Sequence, residues 1–231
     1  SEQVAAFAAL LDDSDRMVRA RALDAVRQFS HQDQIAILPC LTAMLAPQRE
    51  DRAENRATIA RLCGSLKSAA VQSLAGLQTA AANDPDAKVR AGALAAIAQV
   101  STPQESVGYL AKGLADKDAA VRVVAAARLR QLGATAAPAV KELAEALADS
   151  NPDVAQAAAE SLTRIGPSAV EPLAGQLSSK SIPARKLSLA CLARLGPAAK
   201  PASSQIEKCR RDADPQIRQL AEETLKSLAA P

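Results

Sequence analysis

Apolar residues recur along this chain with the spacing of helices. SVGYLAKGL (106–114), AVKELAEAL (139–147) and AVEPLAGQL (169–177) place them three and four apart, on one side of a 3.6-residue period. Each is followed by an acidic turn and a second stretch of the same period, as in DPDAKVRAGALAAIAQV (84–100), DKDAAVRVVAAARLRQLG (116–133) and DSNPDVAQAAAESLTRIG (149–166). KSIPARKLSLACLARLG (180–196) and DADPQIRQLAEETLKSL (212–228) continue the series, DSDRMVRARALDAVRQF (13–29) opens it, and DRAENRATIARLC (51–63) is a weaker second copy. With the first apolar residue of each second stretch as anchor, the copies fall at Val18, Asp51, Val89, Val121, Val154, Ala184 and Ile217, about 33 residues apart. Further apolar residues follow at anchor +4, +8 and +11, such as Ala22, Val26 and Phe29, or Ala93, Ile97 and Val100.

The pattern predicts two helices per copy. The acidic turn ends the first and caps the second, because Asp, Asn and Ser side chains accept the free N–H groups of a helix start. Pro152 and Pro215 stand at that start, where a missing N–H is harmless. Gly133, Gly166 and Gly196 follow the second helix and suit a left-handed C-terminal cap. One helix pair cannot bury its apolar face alone, and stacked pairs can. The expected fold is therefore all-α: a right-handed α-α superhelix of seven two-helix repeats. It forms one array over residues 1–231, with repeats at about 1–31, 32–64, 65–101, 102–133, 134–166, 167–196 and 197–231.

Composition sharpens this picture. The 231 residues include fifty-five alanines, and aromatics are 1%, with Phe7, Phe29 and Tyr109 but no Trp. Ala and Leu favour helix, the scarcity of aromatics disfavours sandwiches and barrels, and Ala at fixed slots (Ala22, Ala93, Ala125, Ala158, Ala221) lets helices approach closely. No run of 18 apolar residues is present, so no membrane span is expected. The start, Ser-Glu-Gln, shows no signal peptide and lacks Met, which reads as a processed chain or a piece of a longer one. Cys40, Cys63, Cys191 and Cys209 are far apart without a CxxC, so they read as small core residues in a reducing compartment, and the expected location is cytoplasmic. No metal site and no cofactor are expected.

The pattern A-V-x-x-L-x-x-x-L, acidic turn, V-R-x-x-A-x-x-x-L-x-x-x-G resembles the HEAT repeat, in particular the short bacterial variety also found in phycobilisome-lyase-like proteins. The resemblance covers the chain and concerns the fold. Copy two departs from it: Asp51 fills the apolar slot, Asn55 the small slot, and the turn APQREDRAEN is long and charged. That insertion reads first as a tolerated surface loop, and second as a contact loop of the solenoid.

Two sets of charges stand out. Arginine at anchor +1 recurs as Arg19, Arg52, Arg90, Arg122, Arg185 and Arg218, and six residues earlier lie Asp13, Asp84, Asp116, Asp149 and Asp212. By resemblance to HEAT repeats these bond between adjacent turns and form a structural ladder. The second set is basic residues at anchor +9 or +10: Arg27, Arg61, Arg130, Arg164, Arg194 and Lys226. One reading is simple compensation of the helix dipole. The other is a partner-binding stripe, since second helices line the concave surface of HEAT solenoids. The second helices sum to +10 and the rest of the chain to −7, for a net +3. At the C-terminus, Glu222 in a slot where other copies have Leu or Ala reads as the polar face of an array end.

No P-loop, GxGxxG, HExxH or nucleophile elbow is present, so the chain is expected not to be an enzyme. A HEAT-like hydroxylase holding iron by His-Glu pairs is excluded by a single histidine, His31, which reads as loop surface. A glycosylase-like base-stacking cleft is excluded by the lack of aromatics. The expected function is a protein-interaction scaffold binding an acidic partner surface through an arginine-led face. Nucleic-acid backbone binding by the same stripe is the alternative, and bilin-lyase-like activity follows from the repeat resemblance alone.

Overall fold

The computed structural model describes residues 2–229, with side chains from Val4 onward; Ser1, Ala230 and Pro231, the outermost residues of the expected first and last repeats, lie outside the described residues. Seven helix pairs succeed one another among them: α1 (Glu2–Leu11) with α2 (Arg16–Val26), α3 (His31–Ala43) with α4 (Ala53–Ser65), α5 (Leu74–Asn83) with α6 (Ala87–Val100), and α7 (Pro103–Gly113) with α8 (Ala119–Leu132). Then come α9 (Val140–Ala146) with α10 (Pro152–Ile165), α11 (Val170–Gln176) with α12 (Ile182–Leu195), and α13 (Ser203–Cys209) with α14 (Pro215–Ala229). Short 3-10 turns lead into α5, α9, α11 and α13. No strand occurs among the described residues. The chain divides into two compact units, residues 1–109 and 110–231.

The second helices begin where acceptor side chains meet their first N–H groups. Asp15, Asp86, Asp118, Asn151 and Ser181 each accept a hydrogen bond from the backbone two or three residues on. Helix α4 is the exception: Arg52 stands at its N-cap and gives no side-chain cap. Gly133, Gly166 and Gly196 end α8, α10 and α12 at positive φ (54°, 92° and 56°). Their ψ values, −132°, −141° and −133°, differ from the left-handed cap expected from sequence. They occupy the mirror-image extended region, which glycine reaches without a Cβ clash. The residue in the same place after α4 is Lys67, also at positive φ (52°).

In the first unit the core is built from Leu23, Val26, Ile37, Leu41, Ile59, Leu77, Val89 and Ile97, all but removed from solvent. Phe7 meets Phe29 edge to face at 4.8 Å, so two of the chain's three aromatic rings sit against one another at that core. Helices α4 and α6 pack closely because their contact is made of small residues; a Cβ added to Gly64 would come within 3.1 Å of the Ala96 Cα. In the second unit Leu129, Leu143, Leu162, Leu173, Leu189, Ile206 and Ile217 are fully buried. Here the second helices are also bonded to each other. Ser161 Oγ donates to Ala126 O (2.8 Å), Cys191 Sγ to Ala159 O (3.4 Å) and Thr224 Oγ1 to Leu189 O (3.3 Å). In each case a short polar side chain at anchor +7 reaches the carbonyl at +5 of the preceding helix. Small residues are required there, because only a close helix approach lets so short a donor span the gap.

Candidate functional site: charged turns and the basic helix ends

The turns carry a repeated bracket around one guanidinium. Nη1 of Arg19, Arg90, Arg122, Arg185 and Arg218 donates to the carbonyl six residues earlier, on Asp13, Asp84, Asp116, Ser179 and Asp212, at 2.7–2.9 Å. The other edge of the fork reaches the next copy. Arg122 donates to both oxygens of Asp149 at 2.7 and 2.8 Å, and Arg185 to both oxygens of Asp212 at 2.9 and 3.1 Å. Each carboxylate is braced from its own turn by the backbone N–H two residues on, as Asn151 N does for Asp149 (2.8 Å) and Asp86 N for Asp84 (2.9 Å). Bidentate, charge-assisted pairing of this kind fixes geometry as well as adding energy. It holds the Asp149 carboxyl below its ordinary range through the hydrogen bond from Arg122, and raises the Arg122 guanidinium in turn.

Copy two follows the same rule in a different register. Arg52 is exposed, and among the described residues its guanidinium meets just the Met17 sulfur. The bracket is built by Arg56, whose Nη1 donates to Glu50 O (2.8 Å) while Nε and Nη2 grip Asp84 at 2.7 and 2.9 Å. Glu50 replaces the usual aspartate: fully buried, it accepts from Arg19 Nε (3.2 Å) and from Arg52 N (2.9 Å). Arg19 Nη2 adds a contact to the exposed Asp51 at 3.2 Å. The anchor of copy two is thus Asn55 and not Asp51, and the charged insertion lies ahead of it. Glu50 and Arg56 show the same six-residue spacing as Asp13 and Arg19, which was the available signal. Between copies five and six both partners are missing together, since Ala155 takes the arginine slot and Ser179 the aspartate slot. A further rung escaped the sequence pattern: Lys186 Nζ bonds Asp214 Oδ2 at 3.0 Å.

The second set of charges is exposed throughout. With Asn55 as anchor, Arg61 sits at +6, inside α4 and not in its last turn, and it bonds Thr58 (2.9 Å). Arg27 is the C-cap of α2 in the first unit. In the second unit, Arg130, Arg164, Arg194 and Lys226 occupy the last turns of α8, α10, α12 and α14, consecutive helices that pack on one another. Arg164 and Arg194 share slot +10. Arg130 is one position earlier, about 100° round the helix, and leans onto α10, where it pairs with Glu160. Arg164, Arg194 and Lys226 have no carboxylate partner among the described residues.

Grooves lie between neighbouring first helices. One in the second unit, about 870 Å³, is lined by Val170, Ala174, Leu177, Ala202, Gln205 and Cys209. One in the first unit, about 400 Å³, runs between α1 and α3 past Leu11, Cys40 and Met44. Burial pushes the Cys209, Cys191 and Cys63 thiols up, away from thiolate reactivity. Among the described residues no three His, Cys, Asp or Glu side chains are placed to hold a metal ion, and no helix is long and apolar enough to cross a membrane.

The profile of a family described as HEAT repeats matches residues 4–98 and 140–226. No curated protein sequence matches the chain. An engineered protein solved by the Northeast Structural Genomics Consortium superposes with a TM-score of 0.55 at 19% identity, over 98% of this chain and 68% of that one. A computationally designed armadillo repeat protein for modular peptide recognition gives 0.46 at 18%, covering 82% and 99% of the two chains. Human deoxyhypusine hydroxylase in complex with glycerol gives 0.44 at 19%, covering 99% and 96%. At these identities the likeness concerns the fold.

Proposed function

The chain belongs to the HEAT-repeat family, and from that premise we propose that it is a non-enzymatic scaffold that binds an acidic surface of another protein through the basic helix ends of its second unit. The observation that carries this reading is a division of labour among the arginines. Arg56, Arg122 and Arg185 each have both edges of the fork engaged by the turns. Arg164 and Arg194 are exposed, share one slot on consecutive helices, and have no carboxylate partner among the described residues, with Lys226 beyond them on α14. Arginine-led anchors are the contacts such a surface can offer in the near absence of aromatics. Arg130, already held by Glu160, contributes less.

The test is titration with poly-glutamate and with duplex DNA, and an affinity pull-down from the source organism, using the wild type and the triple variant Arg164→Glu, Arg194→Glu, Lys226→Glu. The proposal expects poly-glutamate binding and a partner that the variant loses. A variant that retains every partner reduces the basic ends to helix-dipole compensation. DNA binding tighter than poly-glutamate binding, with a steep salt slope, would replace the protein partner by a nucleic-acid backbone.

A further inference from the structure

We infer that the acidic surface met by the basic helix ends is one flank of an amphipathic partner helix, laid across the second helices of the second unit, with aliphatic side chains on its other flank. The inference rests on the scaffold reading above and adds the shape and the apolar half of the partner. Two turns before the slot of Arg164 and Arg194 comes anchor +3, on the same side of each helix. Every second helix of this unit carries an apolar residue there: Val124 on α8, Ala157 on α10, Leu187 on α12 and Leu220 on α14. All four are half-buried, outside the closed core. Because these helices pack on one another in order, an aliphatic row runs alongside the row of cations. Stacking of repeats does not by itself demand such a row. In the first unit slot +3 holds Arg21, Thr58 and Gly92, and slot +10 holds Gln28, Ser65 and Gln99. The aliphatic row and the arginines of slot +10 thus occur together, in one unit.

The dimensions favour a helix. Seven residues separate the two rows by about 10.5 Å along the helix axes, close to the roughly 10–12 Å diameter of a helix with its side chains. Packed helices are spaced roughly 8–10 Å apart, and a helix laid across them repeats a side chain every two turns, about 10.5 Å. A β-strand offers same-face side chains at about 7 or 13 Å and misses that spacing. Between the rows, at anchor +6, α8 and α12 carry Ala127 and Ala190, which leave room for a helix backbone. Glu160 and Glu223 stand at the same level on α10 and α14 and are engaged by Arg130 and Gln219. A partner helix with a carboxylate and an aliphatic residue every seven positions, on opposite flanks, would meet Arg164 and Arg194 on one side and Leu187 and Leu220 on the other.

Fluorescence anisotropy with designed peptides on the full chain tests this. One peptide of about 20 residues, long enough as a helix to cross three second helices, carries Glu and Leu every seven positions on opposite flanks. Its twin carries Ser in place of Leu, and poly-glutamate is the third probe. The Leu peptide should bind at least about tenfold more tightly than the Ser peptide, a difference that burial of one Leu side chain suffices to produce. It should gain helical circular dichroism on binding, and Leu187→Ser protein should bind it no better than the Ser peptide. The two peptides are compared on the wild type, so that result stands even where Leu187→Ser folds poorly. Equal affinity for the two peptides overturns the inference. Poly-glutamate binding alongside would leave the scaffold reading standing, and its absence would take both. A Leu peptide that binds without gaining helix also overturns the helical partner.

Discussion

The turn joining copies one and two is four residues longer than the turn joining copies four and five, counted between anchors Val18 and Asn55 and between Val121 and Val154. Both nevertheless close with an arginine Nη1 on the carbonyl six residues back and a braced carboxylate on the other edge of the fork. The regular junction uses Asp149, whose short side chain is held directly by Asn151 N. The longer one uses Glu50, whose carboxylate likewise accepts from an arginine, Arg19, and from the N–H two residues on, that of Arg52. The comparison teaches that the repeat preserves the position of a charge, not the identity of a residue. It also shows what the insertion cost: α4 starts without a side-chain cap, Asn55 holds a buried, unpartnered amide nitrogen in a slot where five other copies bury an aliphatic side chain, and Lys67 adopts a positive φ where three copies have glycine.

That difference can be broken first at its centre. Glu50→Ala should destabilise the protein by about 3 kcal/mol, because it takes the buried carboxylate away from Arg19 Nε and from the Arg52 N–H beside it. Asp51→Ala, at a carboxylate 62% exposed, should change stability by less than about 0.5 kcal/mol. Chemical denaturation of the two variants checks the contrast. Next, Asn55→Val should stabilise by about 1–2 kcal/mol, since it replaces an unsatisfied buried amide by the side chain other copies carry. Lys67→Gly should add about 0.5–1 kcal/mol, the relief of positive-φ strain less the entropy of the freed backbone. Both should raise the melting temperature, and the same changes have no counterpart in the second unit, which is already regular.

The smallest effect concerns acid. The Asp149 carboxyl is held low by the Arg122 hydrogen bond and by Asn151 N against the opposing effect of burial. A depressed carboxyl stabilises the fold above its unfolded pKa and loses that contribution as pH falls through the folded value. Melting temperature should therefore decline below about pH 4, and Asp149→Asn should lower stability at neutral pH while flattening that decline. An unchanged acid slope in the variant would remove Asp149 from the account.

Much of the fold was legible because period and turn chemistry agree in most copies. The Val-Arg start, the Asp, Asn or Ser cap and the terminal glycine recur together around α8, α10 and α12. Copy two hid its register because Asp51–Arg52 imitates the Val-Arg pair four residues before Asn55–Arg56 carries it out. Counted from Asp51, Arg61 falls at a helix end; counted from Asn55, it lies inside α4. The hydroxyl and thiol donors Ser161, Cys191 and Thr224 were invisible for another reason. Small polar residues on a buried helix face look like packing until the helices are close enough for a donor to reach the neighbouring carbonyl. Glu160 on α10 likewise could not be matched to Arg130 from sequence, because a one-position offset between slots +9 and +10 decides which basic side chain leans toward a neighbour.

The central claim is that charge position, carried by Arg56 and not Arg52, joins copy two to copy three. Thermal unfolding of Arg52→Ala, Arg56→Ala and Arg122→Ala measures it most directly. Arg56→Ala should be the most damaging, by about 3–5 kcal/mol, because it leaves the buried Asp84 carboxylate without its guanidinium partner. Arg122→Ala, at a partly exposed pair, should cost about 1.5–3 kcal/mol, and Arg52→Ala should leave the melting temperature where it is. Equal losses at Arg52 and Arg56, or a loss at Arg52 alone, would contradict the register and the claim with it.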